Sequence, residues 1–217
     1  MLTTSPNHQT TKKTVRRLCL LVVSSSDAVV VDLKTKLMFR CELHDSLLSI
    51  CSPFDVIQVS AITKPKELDP AKPEYIELIG NIRSTGKRLR KRKVHKLLKP
   101  LISKGKSPLL GFRGPSTSYW TLSGFQPSLA IVIPQRGPLL IRRKDGSAWV
   151  RFGFGQFVEE LMVQDRSIQA ALTDTARSRF VGKQLNQFLG WKPKYLVIGL
   201  TSPVNGHCYK KVLGLLP

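Results

Sequence analysis

Between Arg83 and Lys106 the chain carries eleven Lys or Arg residues and no acid. Cations at that density can neutralise a polyanion, and no carboxylate stands beside them for acid–base work. The densest part holds Lys87, Arg88, Arg90, Lys91, Arg92, Lys93 and Lys96. A second group, Arg142, Arg143, Lys144, Trp149 and Arg151, straddles the turn signal Lys144-Asp145-Gly146. An indole beside a guanidinium on an outward sheet face can stack a base and hold its phosphate. These twelve residues are the candidate nucleic-acid contacts; a Trp149 covered by helices would instead be core. Lys183, Lys192, Lys194, Lys210 and Lys211 add charge near the last helix and hairpin.

Other chemistry finds little support. There is no G-x-x-x-x-G-K-[ST] phosphate loop. Gly153-Phe154-Gly155 follows a strand without opening an amphipathic helix, so it reads as a bulge or a close backbone approach. Glu159 and Glu160 are adjacent, and a strand sends them to opposite faces. Asp32 and Lys34 after a Val run faintly resemble the acid and lysine of metal-dependent nucleases, without the further acids that a metal needs. His207-Cys208 lies at a strand start, where neighbouring side chains diverge, and reads as structural. Cys19, Cys41, Cys51 and Cys208 form no C-x-x-C pair and have no His at zinc spacing, so they read as reduced core residues. No catalytic residue, metal or cofactor is expected.

The charge is unevenly spread. The 217 residues carry a formal net charge of +21. Residues 1–82 contribute +1, residues 83–106 contribute +11 and residues 107–217 contribute +9. A hydrophobic content of 41% is ordinary for a folded chain. The longest apolar run, Leu18 to Val23, is too short to cross a bilayer, so any membrane contact would be peripheral. Residues 1–17 are polar and basic and read as a flexible arm, although a transit peptide has the same composition.

Strands and turns must position these cations. Strands are expected at Val15–Val23, Ala28–Leu33, Leu37–Leu43, Asp55–Ile62 and Glu74–Ile82. Ser24-Ser25-Ser26-Asp27 and Lys34-Thr35-Lys36 turn the chain, and the proline-rich segment 63–73 reads as an exposed loop. In the basic stretch Val94, Leu97, Leu98, Leu101 and Ile102 form one apolar stripe, predicting a helix from about Lys87 to Lys99 that stops or kinks at Pro100. Further on, strands are expected near Ser118–Leu122 and at Leu129–Ile133, Pro138–Arg143, Ala148–Phe154, Phe157–Val163, Tyr195–Leu200 and His207–Leu215. The Asn205-Gly206 turn joins the last pair. Helices are expected at Ser167–Val181, capped by Asp165 or Ser167, and at Lys183–Leu189, closed by Gly190.

Five short strands with a long loop before the last, and the stretch Phe54-Asp55-Val56-Ile57-Gln58-Val59, resemble an oligonucleotide-binding (OB) barrel; another small barrel fits nearly as well. The expected architecture is α+β and mostly β. It comprises a flexible basic arm (1–17), a small OB-like β-barrel (18–82), a basic helical connector (83–106) and a C-terminal antiparallel sheet with two helices (107–217). The expected function is nucleic-acid binding through the phosphate backbone, RNA ahead of DNA, in a ribosome or other ribonucleoprotein. The expected location is the cytoplasm or an organelle stroma or matrix. The alternative is a non-enzymatic assembly factor docking an acidic protein or an anionic membrane surface. A metal-dependent nuclease stands last.

Overall fold

A computed structural model describes residues 15–23, 27–123 and 126–217. The expected arm up to residue 14, the Ser24–Ser26 turn and Gly124 lie outside the described residues. The chain is mostly β, with two sheets and few helices. No helix among the described residues is long and apolar enough to cross a membrane.

The first sheet contains β1 (Arg16–Val23), β2 (Ala28–Asp32), β3 (Met38–Cys41), β4 (Asp55–Thr63) and β5 (Glu77–Arg88), in the order β3-β2-β1-β4-β5. A one-turn helix, α1 (Asp45–Leu48), separates β3 from β4. The strand pattern begins within the expected arm, since Arg16 and Arg17 pair with Val59 and Gln58. Among the described residues no full ladder closes this sheet into the expected barrel. Its edges meet at one isolated parallel bridge between Arg40 and Tyr75, where Arg40 N–H donates to Glu74 O at 3.1 Å and Ile76 N–H to Arg40 O at 2.8 Å. β5 runs six residues past its expected end, so Arg83, Lys87 and Arg88 are strand residues and not helix.

The sheet is apolar on both faces because β1 and β2 are continuous hydrophobic runs. Leu18, Leu20, Ala28 and Val30 pack on one side with Ile57, Val59 and Ile76. Cys19, Leu21, Val29 and Val31 pack on the other, against Leu129, Ile131, Val197 and Leu213. Strand alternation makes this inevitable: period 2 sends successive residues to opposite faces, so a run without polar breaks must be covered twice.

The second cover is the larger sheet. It comprises β6 (Ser116–Ser118), β7 (Leu129–Val132), β8 (Leu139–Arg142), β9 (Ala148–Phe154), β10 (Phe157–Val163), β11 (Arg179–Phe180), β12 (Tyr195–Leu200) and β13 (His207–Leu216). Its order is β11-β8-β9-β10-β13-β12-β7, with β6 on β13. The sheet is not wholly antiparallel as expected, because β10 and β13 pair in parallel through Met162–Lys211 and Val163–Val212. The chain between them holds two helices, α3 (Arg166–Thr173) and α4 (Gly182–Leu189), and two strands, a connection long enough to return in the same direction. Helix α3 is shorter than the expected 167–181: Asp165 caps it through Ser167 and Ile168, and Arg179–Phe180 joins β8 instead. The expected strand near Ser118–Leu122 is three residues at Ser116–Ser118 followed by a tight turn of helix.

Polar contacts cross between the sheets. Arg40, 2% exposed, donates from Nη1 to Leu200 O at 2.9 Å. Gly199 leaves room for it, since a Cβ there would lie 2.4 Å from Arg40 Nη2. Glu74 accepts from Ser128 N at 2.8 Å and from the Ser128 hydroxyl. The loop expected to be exposed over 63–73 also crosses: Ala71 is fully buried in the core of the second sheet.

Gly155 marks a close approach, as the sequence suggested. A Cβ there would lie 2.2 Å from Gly105 O, and its φ is +58°. Gly155→Ala therefore combines left-handed strain with a backbone clash and should cost about 2–5 kcal/mol. Gly146→Ala meets nothing within 4 Å and has only the strain, at φ +80°; it should cost about 1–2 kcal/mol. Urea denaturation of both variants checks the difference.

Candidate nucleic-acid interface

The basic stretch folds as the end of β5, a short bend and the helix α2 (Lys91–Leu98). Leu89 N–H donates to Phe54 O at 2.9 Å, which ties the bend to the first sheet. Arg90 takes the cap position in extended conformation, without a side-chain cap bond. Eight residues with like charges and no acid in the first turn do not hold a helix in water. Burial holds this one. Val94, Leu97 and Leu98 sit between the two sheets, among Cys19, Leu21, Val31, Ile131, Tyr195 and Leu216. Pro100 then tightens the chain into a single turn, Lys99–Leu101, and Ile102 bridges Ile131.

The opposite side of α2 is cationic and faces solvent. Arg90, Lys91, Arg92, Lys93, His95, Lys96 and Lys99 are all exposed. Among the described residues none of them forms an ion pair. Lys87 is also exposed, on β5, while Arg88 lies 4.0 Å from Asp55. His95 Nδ1 is 2.5 Å from the Tyr195 hydroxyl and 3.4 Å from Lys194 Nζ. That contact brings the segment before β12 beside α2. Lys192 and Lys194 thereby join the site, although the sequence places them about a hundred residues away; their only signal was a pair of cations just after a helix.

The hairpin group fares differently. Arg142 donates to Leu172 O at 2.8 Å, at the C-terminal end of α3. The Arg143 guanidinium lies 3.6 Å from the Trp149 ring centroid and pairs with Glu160 at 2.7 Å. Trp149 is half-buried, and its indole N–H donates to Ser147 Oγ at 2.8 Å. One face of this indole thus already carries a cation. Lys144 and Arg151 remain exposed. Ala148, Val150, Phe152 and Phe154 are buried together as core.

Lys210 adds no surface charge. It is 2% exposed, donates to Phe112 O at 2.8 Å and lies 3.7 Å from Glu159. Burial pushes the Lys210 ammonium down and the Glu159 carboxyl up, and their mutual attraction offsets part of each shift. Glu160 points elsewhere, to Arg143, as adjacent strand residues must.

The nuclease-like pair dissolves. Asp32 is 1% exposed; burial raises its pKa, but bonds from Lys34 N–H, the Arg16 guanidinium and Thr35 N–H outweigh it and leave the carboxylate below its usual range. It is a turn and ion-pair residue. No cluster of three or more His, Cys, Asp or Glu among the described residues could hold a metal. All four cysteines are free and buried, and burial pushes the Cys19 and Cys41 thiols up to about 12. His207 is exposed where Cys208 is buried, so the two do not meet as base and nucleophile.

No protein-family model matches this chain, and no curated protein matches it. Solved structures with some likeness include two HIN domains. The p204 HINb domain is 14% identical, with 90% of this chain and 95% of that chain covered and a TM-score of 0.34. The tetrameric p202 HIN2 domain is 10% identical, with 92% of each chain covered and a TM-score of 0.29. At those values the likeness establishes neither a shared fold nor a shared ligand.

Proposed function

We propose that this chain binds nucleic acid along the phosphate backbone, using the exposed face of α2 with Lys87, Lys192 and Lys194 beside it. The observation that carries this is a rigidly seated helix whose outer face holds Arg90, Lys91, Arg92, Lys93, Lys96 and Lys99 without one acidic partner among the described residues. A solvated run of like charge is self-repelling. Phosphates spaced along a strand relieve that repulsion and release counterions. A docked helix also keeps the backbone positions of its cations in fixed register, so little backbone freedom is lost on binding.

We read the first sheet as OB-like. β1 pairs with both β2 and β4, β5 follows β4, and the Arg40–Tyr75 bridge brings β3 to the lead-in of β5 in parallel. RNA stands ahead of DNA, because such folds handle unpaired bases and RNA presents them most often. Backbone contacts alone do not choose between the two. Lys144 and Arg151 form a separate, weaker patch.

Binding of the full chain to fluorescent single strands, RNA and DNA of matched length, is the test. Six phosphate contacts give a slope of log affinity against log salt near −4 on a single strand, and near −5 on a duplex. A slope near zero overturns the proposal. Equal affinity for both strands would remove the preference for RNA and keep the mode.

A further inference from the structure

A cleft of about 470 Å³ opens beside the first residue of α2. Its walls come from the β7–β8 connection, α4, the segment before β12 and Pro217, which follows β13. Ile133, 39% exposed, and Pro134 make the open wall apolar above the buried Pro138 and Leu185, and Lys91, Lys192 and Lys194 line it as well. No Asp or Glu lines the cleft. None of the three lysines is in an ion pair among the described residues. Lys194 instead approaches His95 and the Tyr195 ring, neither of which neutralises it.

Two properties that rarely coincide meet here. An apolar, concave wall favours a flat uncharged group, and three unpaired ammonium groups favour an anion. A nucleotide is both at once, with a base of suitable size and a phosphate on a short tether. A bare phosphate would leave the wall of Ile133 and Pro134 wet, and an apolar peptide would leave the lysines unmatched.

We propose that this cleft receives one unstacked nucleotide of the bound strand, its base against Ile133 and Pro134 and its phosphate held by Lys91, Lys192 and Lys194. The proposal rests on the nucleic-acid reading above and gives that reading a defined end point. The cations of α2 would lead the backbone to Lys91, where the strand turns one base out of its stack. The β7–β8 connection that forms one wall also packs on β9. Gln135 N–H donates to Gly153 O at 3.1 Å, and a Cβ on Gly153 would lie 3.6 Å from Arg136 N. The wall is therefore fixed to the sheet and does not need the ligand to form.

Gly137 allows a clean test. It lines the cleft, and a Cβ there would meet nothing within 4 Å. Gly137→Phe sends a ring from that open position toward the cleft and removes no charge. We expect an eight-nucleotide RNA to bind Gly137→Phe about 5- to 100-fold more weakly than the unsubstituted chain, the range for losing one base contact, with an unchanged salt slope. Lys192→Gln with Lys194→Gln should weaken binding and reduce the slope by no more than about 0.7, because the three lysines share one phosphate. A thermal melt of Gly137→Phe at the parent temperature verifies that the fold is kept; if the melt shifts, the lysine pair decides instead. Full affinity in Gly137→Phe, or full affinity in the lysine pair, overturns the cleft proposal. If the unsubstituted chain binds no oligonucleotide, the parent reading fails first. If it binds with a steep slope and Gly137→Phe is indifferent, only the cleft proposal falls.

Discussion

Replacing Arg90, Arg92, Lys93 and Lys96 together by Gln lowers the affinity for a single-stranded oligonucleotide on the order of 10³-fold near 0.1 M salt. Each lost phosphate contact removes about 0.7 from the salt slope on a single strand and about 0.9 on a duplex. Four contacts therefore remove about 3 or 4 units, and each unit is a decade of affinity at a tenth of molar salt relative to one molar. The variant keeps the fold. Gln matches Arg and Lys closely in helix propensity. Arg92 and Lys96 stand four apart with the same sign, and removing their repulsion stabilises α2 by a few tenths of a kcal/mol. The measurement is a pair of salt titrations, parent and variant, with a urea melt of each. Wild-type affinity and slope in a folded variant would take the interface off α2 and return it to Lys144 and Arg151. Lys91 is left in place so that the cleft beside it stays intact.

Leu98→Ala costs about 2–5 kcal/mol, the range for a fully buried leucine whose surroundings relax only in part. Leu98 is 0% exposed and belongs to the cluster that joins β1 and β2 to β7, β12 and β13. The void would open in the cluster where α2 meets both sheets. A chain of this size loses about 2–4 °C of melting temperature per kcal/mol, so the drop should be about 5–15 °C. Urea denaturation gives the energy and calorimetry the temperature. The consequence for binding is separate. A loosened α2 no longer holds its cations in one register, so affinity should fall at temperatures where the variant is still folded. A loss below about 1 kcal/mol would mean that the leucine stripe is not what seats the helix.

Parts of this fold are legible in the residues alone. Ala148–Phe154, Phe157–Val163 and Tyr195–Leu200 keep their bounds, since turn residues punctuate them: Asp145-Gly146 before the first, Gly155 between the first two, and Pro193 before the last. Asn205 and Gly206 turn with φ of 50° and 77°, as a two-residue hairpin requires. Gly190 closes α4 at φ 74°. The apolar stripe of α2 was legible because Val94, Leu97 and Leu98 recur at helical spacing among cations.

The candidate site was legible only in part, and individual residues show why. Arg142 and Lys210 look like surface charge in the sequence. One reaches the last carbonyls of α3 and the other is enclosed with Glu159 beneath Phe112. Both depend on an element more than twenty residues away. Arg143 and Trp149 were expected on one hairpin, with Trp149 either outward or core; Trp149 is half-buried and the two occupy each other. Ala71, in a loop rich in proline and charge, is buried only because the second sheet covers it.

By itself, then, the sequence determined the signs and the periods: where the charge accumulates, which residues alternate, where the chain turns, and which face of α2 is apolar. These are properties of consecutive residues, set by local sterics and by the two spacings of strand and helix. The tertiary structure alone decided which faces meet. It paired β10 with β13 in parallel and buried the second face of β1 and β2 against the larger sheet. It seated α2 between the two and brought Lys192 and Lys194 to Lys91. Those outcomes turn on surface burial summed over residues far apart in the chain, and no short window of sequence contains that sum.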